Sequence, residues 1–206
     1  MALFNAKELA AKGQQFVAAY SRSNMAKPAG VILKEWAQDA ATSFKFDIFL
    51  SHAYLDANLV AGLKKDIEDM GFTVYVDWIQ DSHLDTTRVN KATAEHLRAR
   101  MEQCKSLLFA TSESSPASKW MPWECGYFDG HKGKVAICPI VMNVAQNEYK
   151  GQEYLGLYPY IDKAESKDEA SRTLWVNESP TKYVSFSDWL AGKPPEEKGK
   201  GRIGSV

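Results

Sequence analysis

The segment Ser118-Lys119-Trp120-Met121-Pro122-Trp123-Glu124 holds the residues best spaced to do chemistry. Trp120 and Glu124 stand four apart at the start of a predicted helix, which puts indole and carboxylate on one face. A carboxylate flanked by Trp120, Trp123, Tyr127 and Phe128 loses part of its hydration, a cost that a ligand or a partner must offset. Such a group can hydrogen-bond hydroxyls or stabilise a cation, and the aromatic faces can hold a flat ring. Spacing alone favours a packed Trp beside a surface Glu, so position in the fold has to decide.

Other candidates are weaker. His52 leaves a predicted strand, where a ligand contact and a hydrogen-bonded structural role are both open. The four histidines, at 52, 83, 96 and 131, show no metal-binding pair on one helix face, and no metal site is expected. Cys125 and His131 are six apart, on different faces of a helix, with no third group to orient the base, so a buried thiol is the expectation. Gly199, Gly201 and Gly204 spell GxGxxG in the charged tail, without the preceding strand that phosphate binding requires. Asn177-Glu178-Ser179 forms a glycosylation sequon followed directly by Pro180 and is read as noise.

The elements that must position these residues alternate from Phe44 to about Leu190 between short apolar runs and amphipathic stretches, the pattern of a parallel α/β sheet. Predicted strands run over Lys45 to Leu50, Phe72 to Trp78, Ser106 to Ala110, Val135 to Met142 and Thr173 to Val176. Between them, Asp56 caps a helix with Leu59, Val60, Leu63, Ile67 and Met70 on its buried face and Gly71 at its end. Val89, Thr93, Leu97, Met101 and Cys104 mark a second helix, Ser118 caps a third, and Ser185 to Leu190 forms a short closing helix. The expected fold is a flavodoxin-like five-stranded parallel sheet of order 2-1-3-4-5 with helices on both faces. Ligands would then bind beyond the carboxyl ends of strands 1 and 3. Ser51 and His52 leave strand 1, Trp78 leaves strand 2, and the chain leaving strand 3 reaches Trp120 and Glu124, so all of them converge on one crevice.

The expected domains are an N-terminal helical extension over 1–43, an α/β domain over 44–190 and a flexible tail over 191–206. The extension is Ala-rich, with two short helices and no strand-like run. Among 206 residues, 25 Lys plus Arg oppose 26 Asp plus Glu, and this net charge of −1 argues against a nucleic-acid or anionic-membrane partner. The longest apolar run, Val135 to Met142, is far short of a membrane span. The N-terminus lacks the apolar stretch of a signal peptide, which places the chain in the cytoplasm, where Cys104, Cys125 and Cys138 stay reduced.

On these residues the chain resembles a bacterial TIR (Toll/interleukin-1 receptor) domain of the NAD-cleaving type found in Thoeris-like anti-phage defence. Phe46-Asp47-Ile48-Phe49-Leu50-Ser51-His52-Ala53 is similar to the first box of that family. Phe72-Thr73-Val74-Tyr75-Val76-Asp77 is similar to its second strand, and Ser112 through Trp120 to Glu124 resembles its Ser-rich loop, Trp and Glu. Where many members carry Arg-x-x-Pro-Gly, this chain departs and reads Trp78-Ile79-Gln80-Asp81-Ser82-His83. The resemblance implies an NAD+ glycohydrolase or ADP-ribosyl cyclase with Glu124 as its catalytic carboxylate. NAD+ is then the substrate and no cofactor is required. It further implies self-association through TIR contacts and a downstream effector that senses the product.

The implied chemistry agrees with elementary considerations. Ordinary glycosidases use two carboxylates because one must protonate a poor leaving group. Nicotinamide is cationic while attached and leaves neutral, so one carboxylate can suffice. Ser51, His52, Asp77, Trp78 and Trp120 are the expected substrate-binding residues. A non-catalytic TIR interaction module is the alternative, and a nucleoside-processing glycosyltransferase on a related sheet is a third reading.

Overall fold

The computed structural model describes residues 2–24, 46–53, 57–76, 91–111, 115, 118–142, 153–165 and 172–198. In chain order the elements are β1 (Phe4–Asn5), α1 (Ala6–Asn24), β2 (Phe46–Ser51), α2 (Ala57–Glu68), β3 (Val74–Val76), α3 (Lys91–Glu102), β4 (Cys104–Thr111), α4 (Trp120–Lys132) and β5 (Val135–Val141). A 3-10 turn at Glu153–Leu157 follows, and then β6 (Tyr160–Glu165), β7 (Arg172–Asn177), β8 (Lys182–Ser185), α5 (Phe186–Leu190) and β9 (Glu196–Glu197).

These strands form one sheet in the order β3-β2-β4-β5-β6-β7-β8-β9, with β1 added against β5. Pairing is parallel from β3 across to β6 and antiparallel from β6 to β9. The α/β fold with a mainly parallel central sheet is therefore present, with a change in its last strands. The parallel neighbour of β5 is Tyr160–Glu165, which the sequence reading passed over. Thr173 to Val176 lies in β7, antiparallel to β6. The missed strand carries Asp162, fully buried, and Lys163, 5% exposed, so its polarity imitates a loop.

Strand alternation sends side chains to two separate cores. Ile48, Leu50, Leu108, Ala110, Ala136 and Cys138 pack beneath α2 together with Phe4, Leu9, Phe186 and Trp189. Phe49, Leu107, Phe109, Val135 and Ile137 face the other way, against Leu97 and Met101 of α3 and Met121, Cys125 and Phe128 of α4. The odd-numbered face of β2 thus looks toward α4, and it ends in Ser51.

The N-terminal segment is stitched into this unit, and it does contain a strand. Ala2 exchanges two backbone hydrogen bonds of 3.0 Å with Lys163, while Phe4 and Asn5 pair with Ile140 and Val141. Asn5 Oδ1 then accepts from the backbone N–H groups of Lys7 and Glu8 at 3.0 and 3.1 Å, starting α1 with the donors of its first turn satisfied. Helix α1 lies directly on α2. A Cβ on Gly13 would stand 1.8 Å from the carbonyl oxygen of Asn58, and one on Gly62 would stand 1.9 Å from that of Leu9. Only hydrogen atoms fit between the two backbones at these points. Lys12 of α1 bonds Asp66 of α2 and Asp69 in the turn just after it at 2.6 and 2.8 Å, and Lys163 of β6 bonds Asp66 at 2.7 Å.

At the other end of the chain, Glu196 and Glu197 pair with β8 and Lys193 bonds Asp188 at 2.8 Å, so the tail is held as far as Lys198. The second N-terminal helix with Val31, Ile32 and Trp36, the Asp56 cap, the loop Gln80 to Thr87 and the tail GxGxxG lie outside the described residues. Gly71, with φ 88°, closes the turn after α2 as its position requires. No helix of the described residues is long and apolar enough to cross a membrane.

Candidate active site

Ser51 closes β2, the central strand of the trio β3-β2-β4, and is held in register opposite Phe109. Across from it, α4 begins after the β4 loop. Ser118 Oγ accepts from the Met121 N–H at 3.3 Å, and Pro122 occupies the first turn, where its missing N–H removes no intrahelical bond. Met121, Cys125 and Phe128 are almost fully buried and fasten this helix to the sheet. Glu124 belongs to the same inward stripe and is 7% exposed.

A side-chain hydrogen bond joins the two elements: Ser51 Oγ donates to Glu124 Oε2 at 2.5 Å. Ser51 is itself only 1% exposed. A hydroxyl orients a carboxylate oxygen without cancelling its charge, and a charge-assisted bond of this kind is stronger than a neutral one. Next along the chain, His52 Nδ1 lies 3.1 Å from the Leu50 carbonyl oxygen. That oxygen can only accept, so Nδ1 carries the proton and Nε2 the lone pair. Burial pushes the His52 pKa down despite the opposing Leu50 hydrogen bond, which keeps the ring neutral near pH 7.

Trp120 is half-buried one helical turn before Glu124 and makes an edge contact with Trp123 at 5.4 Å. Trp123 and Tyr127 have ring and cation partners of their own. They stack on each other at 5.8 Å, Tyr127 stacks on His131 at 5.9 Å, and the Arg98 guanidinium of α3 lies 5.3 and 5.7 Å from the first two rings. Tyr127 Oη donates to Glu102 at 3.0 Å, and His131 pairs with the same carboxylate at 2.9 Å. The aromatic residues of α4 thus divide between an inward stripe carrying Glu124 and an outward row bound to α3. Spacing could not separate the two, because both recur every three to four residues.

The structure brings Ser51 and Glu124 into contact, with His52 next to Ser51 in the chain and Trp120 on the same helix as Glu124. Asp77 and Trp78 lie outside the described residues. Sequence reasoning placed Ser51 and Glu124 in one crevice but missed the bond between them. The available signal was the odd-numbered alternation of β2, which turns Ser51 to the side of α4.

The thiols do not supply an alternative nucleophile. Burial raises Cys104 to about 12 and Cys125 to about 11, and pushes Cys138 up as well. His131, which the spacing had already set apart from Cys125, is occupied with Glu102 and Tyr127, and the buried thiol is as expected. Among the described residues no three His, Cys, Asp or Glu side chains gather as a metal site.

With this geometry in hand, residues 48–175 match the family described as TIR domain. The chain is a TIR domain protein. A Bacillus cereus (strain MSX-D12) relative, "Probable 3' cyclic ADP-D-ribose synthase ThsB'", is 53% identical over 145 residues, which cover 70% of this TIR chain and 75% of the relative. A Cytobacillus dafuensis relative, "Putative cyclic ADP-D-ribose synthase TIR2", is 30% identical over 104 residues, 50% of this chain and 27% of that protein. The family match begins inside β2 and ends inside β7, so β1 and α1 pack onto the TIR core from outside the matched span.

Proposed function

We propose that this TIR chain cleaves NAD+ at the nicotinamide–ribose bond and closes the remaining ADP-ribose into a cyclic isomer, with Glu124 as the catalytic carboxylate. The observation that carries the reading is the buried Ser51–Glu124 contact at the carboxyl end of β2, beside the topological switch point between β2 and β4. The name of the 53% identical relative supports the cyclic product.

In this reading the bond between ribose C1′ and the nicotinamide nitrogen breaks with both electrons leaving on nicotinamide, which departs neutral. Positive charge develops on the ribose, and the Glu124 carboxylate stabilises it from a site where little water screens the interaction. A hydroxyl of the same ADP-ribose then attacks C1′, and Glu124 is the acceptor for its proton. Water attacking instead would give linear ADP-ribose, so exclusion of solvent favours the cycle. Trp120, and Trp78 two residues beyond β3 in the sequence, offer flat faces to nicotinamide or adenine, and His52 stands next to Ser51 on the substrate side in this reading. The protein acts in the cytoplasm, associates through TIR contacts, and delivers its product to an effector in defence against phage.

Purified protein incubated with NAD+, with and without a crowding agent, should release nicotinamide and yield a cyclic product by mass spectrometry. Glu124→Gln should abolish both. A Glu124→Gln protein that turned over NAD+ at the wild-type rate would refute the assignment, and absence of nicotinamide under every condition would favour a non-catalytic module.

A further inference from the structure

We infer that Ser51 is a positioning residue that acts on the reaction through Glu124, not a group that grips the substrate; the inference rests on the reading of Glu124 as the reacting carboxylate. The Ser51 backbone is anchored by its pairing with Phe109 of β4 and by Leu50 just before it, which pairs with Val76 of β3 and Leu108 of β4. Its side chain faces α4 by strand alternation, is 1% exposed, and has one proton, which it donates to Glu124 Oε2 at 2.5 Å.

Helix α4 fixes the Glu124 Cα through Met121, Cys125 and Phe128, but a glutamate side chain still turns about three bonds. The Ser51 hydroxyl ties one carboxylate oxygen to the sheet. The orientation of the second oxygen follows, since the group is planar. A carboxylate that must face a developing cation and then a ribose hydroxyl gains from being held within about half an ångström of its working geometry. The placement also explains why the position carries a small hydroxyl residue. A side chain bulkier than threonine at 1% exposure would have to displace α4 or the sheet.

The test uses the full chain and the variants Ser51→Ala, Ser51→Thr and Glu124→Gln. Turnover is followed by nicotinamide release under conditions where the wild type is active. Binding is measured by calorimetry with carba-NAD+, a non-hydrolysable analogue, and folding by thermal melting. Ser51→Ala should lower kcat roughly 10- to 100-fold, the scale set by loss of a group that orients a reacting residue. Its KM and carba-NAD+ affinity should stay within about twofold of wild type. Ser51→Thr should recover most of the lost turnover, because it restores the donor.

Two results would overturn the inference: an unchanged kcat in Ser51→Ala while Glu124→Gln is inactive, or a rise in KM matched by weaker carba-NAD+ binding. An active Glu124→Gln would instead strike at the reading of the carboxylate itself, which keeps the two failures distinct. If Ser51→Ala melts below the assay temperature, Ser51→Cys, with a weaker donor of similar size, reads the same split between kcat and KM.

Discussion

Two carboxylates withdrawn from solvent sit on opposite faces of the sheet and are treated in opposite ways. Asp66, on α2, has one oxygen bonded to Lys12 and the other to Lys163, whose ammonium also lies 4.8 Å from the Phe4 ring. Three segments distant in sequence are thereby locked around a charge that is locally neutralised. Glu124, on α4, accepts the Ser51 hydroxyl, which directs one of its carboxylate oxygens. The first arrangement is architecture, since two cations surround one anion and a ligand cation has little to gain there. The second, in the proposed reaction, would meet a cation that arises only during turnover. Burial of an acid therefore does not mark a site; the kind of donor that meets it does.

The difference can be broken from either side. The largest effect is expected at Glu124, where Glu124→Gln should cut nicotinamide release by at least roughly 10²- to 10³-fold while hardly moving the melting temperature. The amide keeps the volume and can still accept the Ser51 bond.

The converse change, Asp66→Asn, should leave kcat near wild type and lower stability by about 2–4 kcal/mol in denaturant unfolding, because Lys163 is left buried beside a neutral group. Its pH dependence gives a second check. Burial by itself would raise the Asp66 carboxyl, but the hydrogen bonds and charges of Lys12 and Lys163 outweigh it and hold the group below its ordinary 3.8. An acid lowered on folding stabilises the fold above its unfolded pKa, and that contribution disappears as pH falls through the folded value. Wild-type stability should thus decline below about pH 5, and the Asp66→Asn decline should be shallower.

Third in size, Gly62→Ala should cost about 1–3 kcal/mol by forcing α1 away from α2. Catalysis at Glu124, on the opposite face, should persist at temperatures where the variant is folded. The smallest effect belongs to the exposed row on α4. His131→Ala should change stability by less than about 1 kcal/mol, because its pairing with Glu102 is half-exposed and screened by salt. A large loss of turnover in that variant would show that the row takes part in the reaction.

How much of this was legible depended on whether a residue obeyed a local rule. The apolar runs at Ile48 to Leu50, Leu107 to Ala110 and Val135 to Cys138 declare themselves as buried strands, because parallel strands covered on both faces need hydrophobic residues on both. Gly71 announces the end of α2, and Ser185 caps α5 by accepting from the Asp188 N–H at 3.1 Å. Tyr160 to Glu165 broke the rule. Lys163 is tolerated in the middle of a sheet only because Asp66, 97 residues earlier, lies across from it. The strand character of Phe4 and Asn5 was equally hidden, since two residues have no period and gain their pairing from β5 alone.

Sequence patterns alone were enough to call an α/β sheet, the helix that carries Trp120 and Glu124, and the strand that ends in Ser51. These follow from apolar periodicity, capping residues and parallel connections, all of which act within a few residues. Tertiary structure alone decided that Ser51 would hold Glu124, that Trp123 and Tyr127 would turn to Arg98, and that Lys163 would be neutralised by Asp66. Each of these depends on distances between atoms far apart along the chain. A hydrogen bond distinguishes 2.5 Å from twice that length, while a hydrophobic pattern specifies only which face is turned inward.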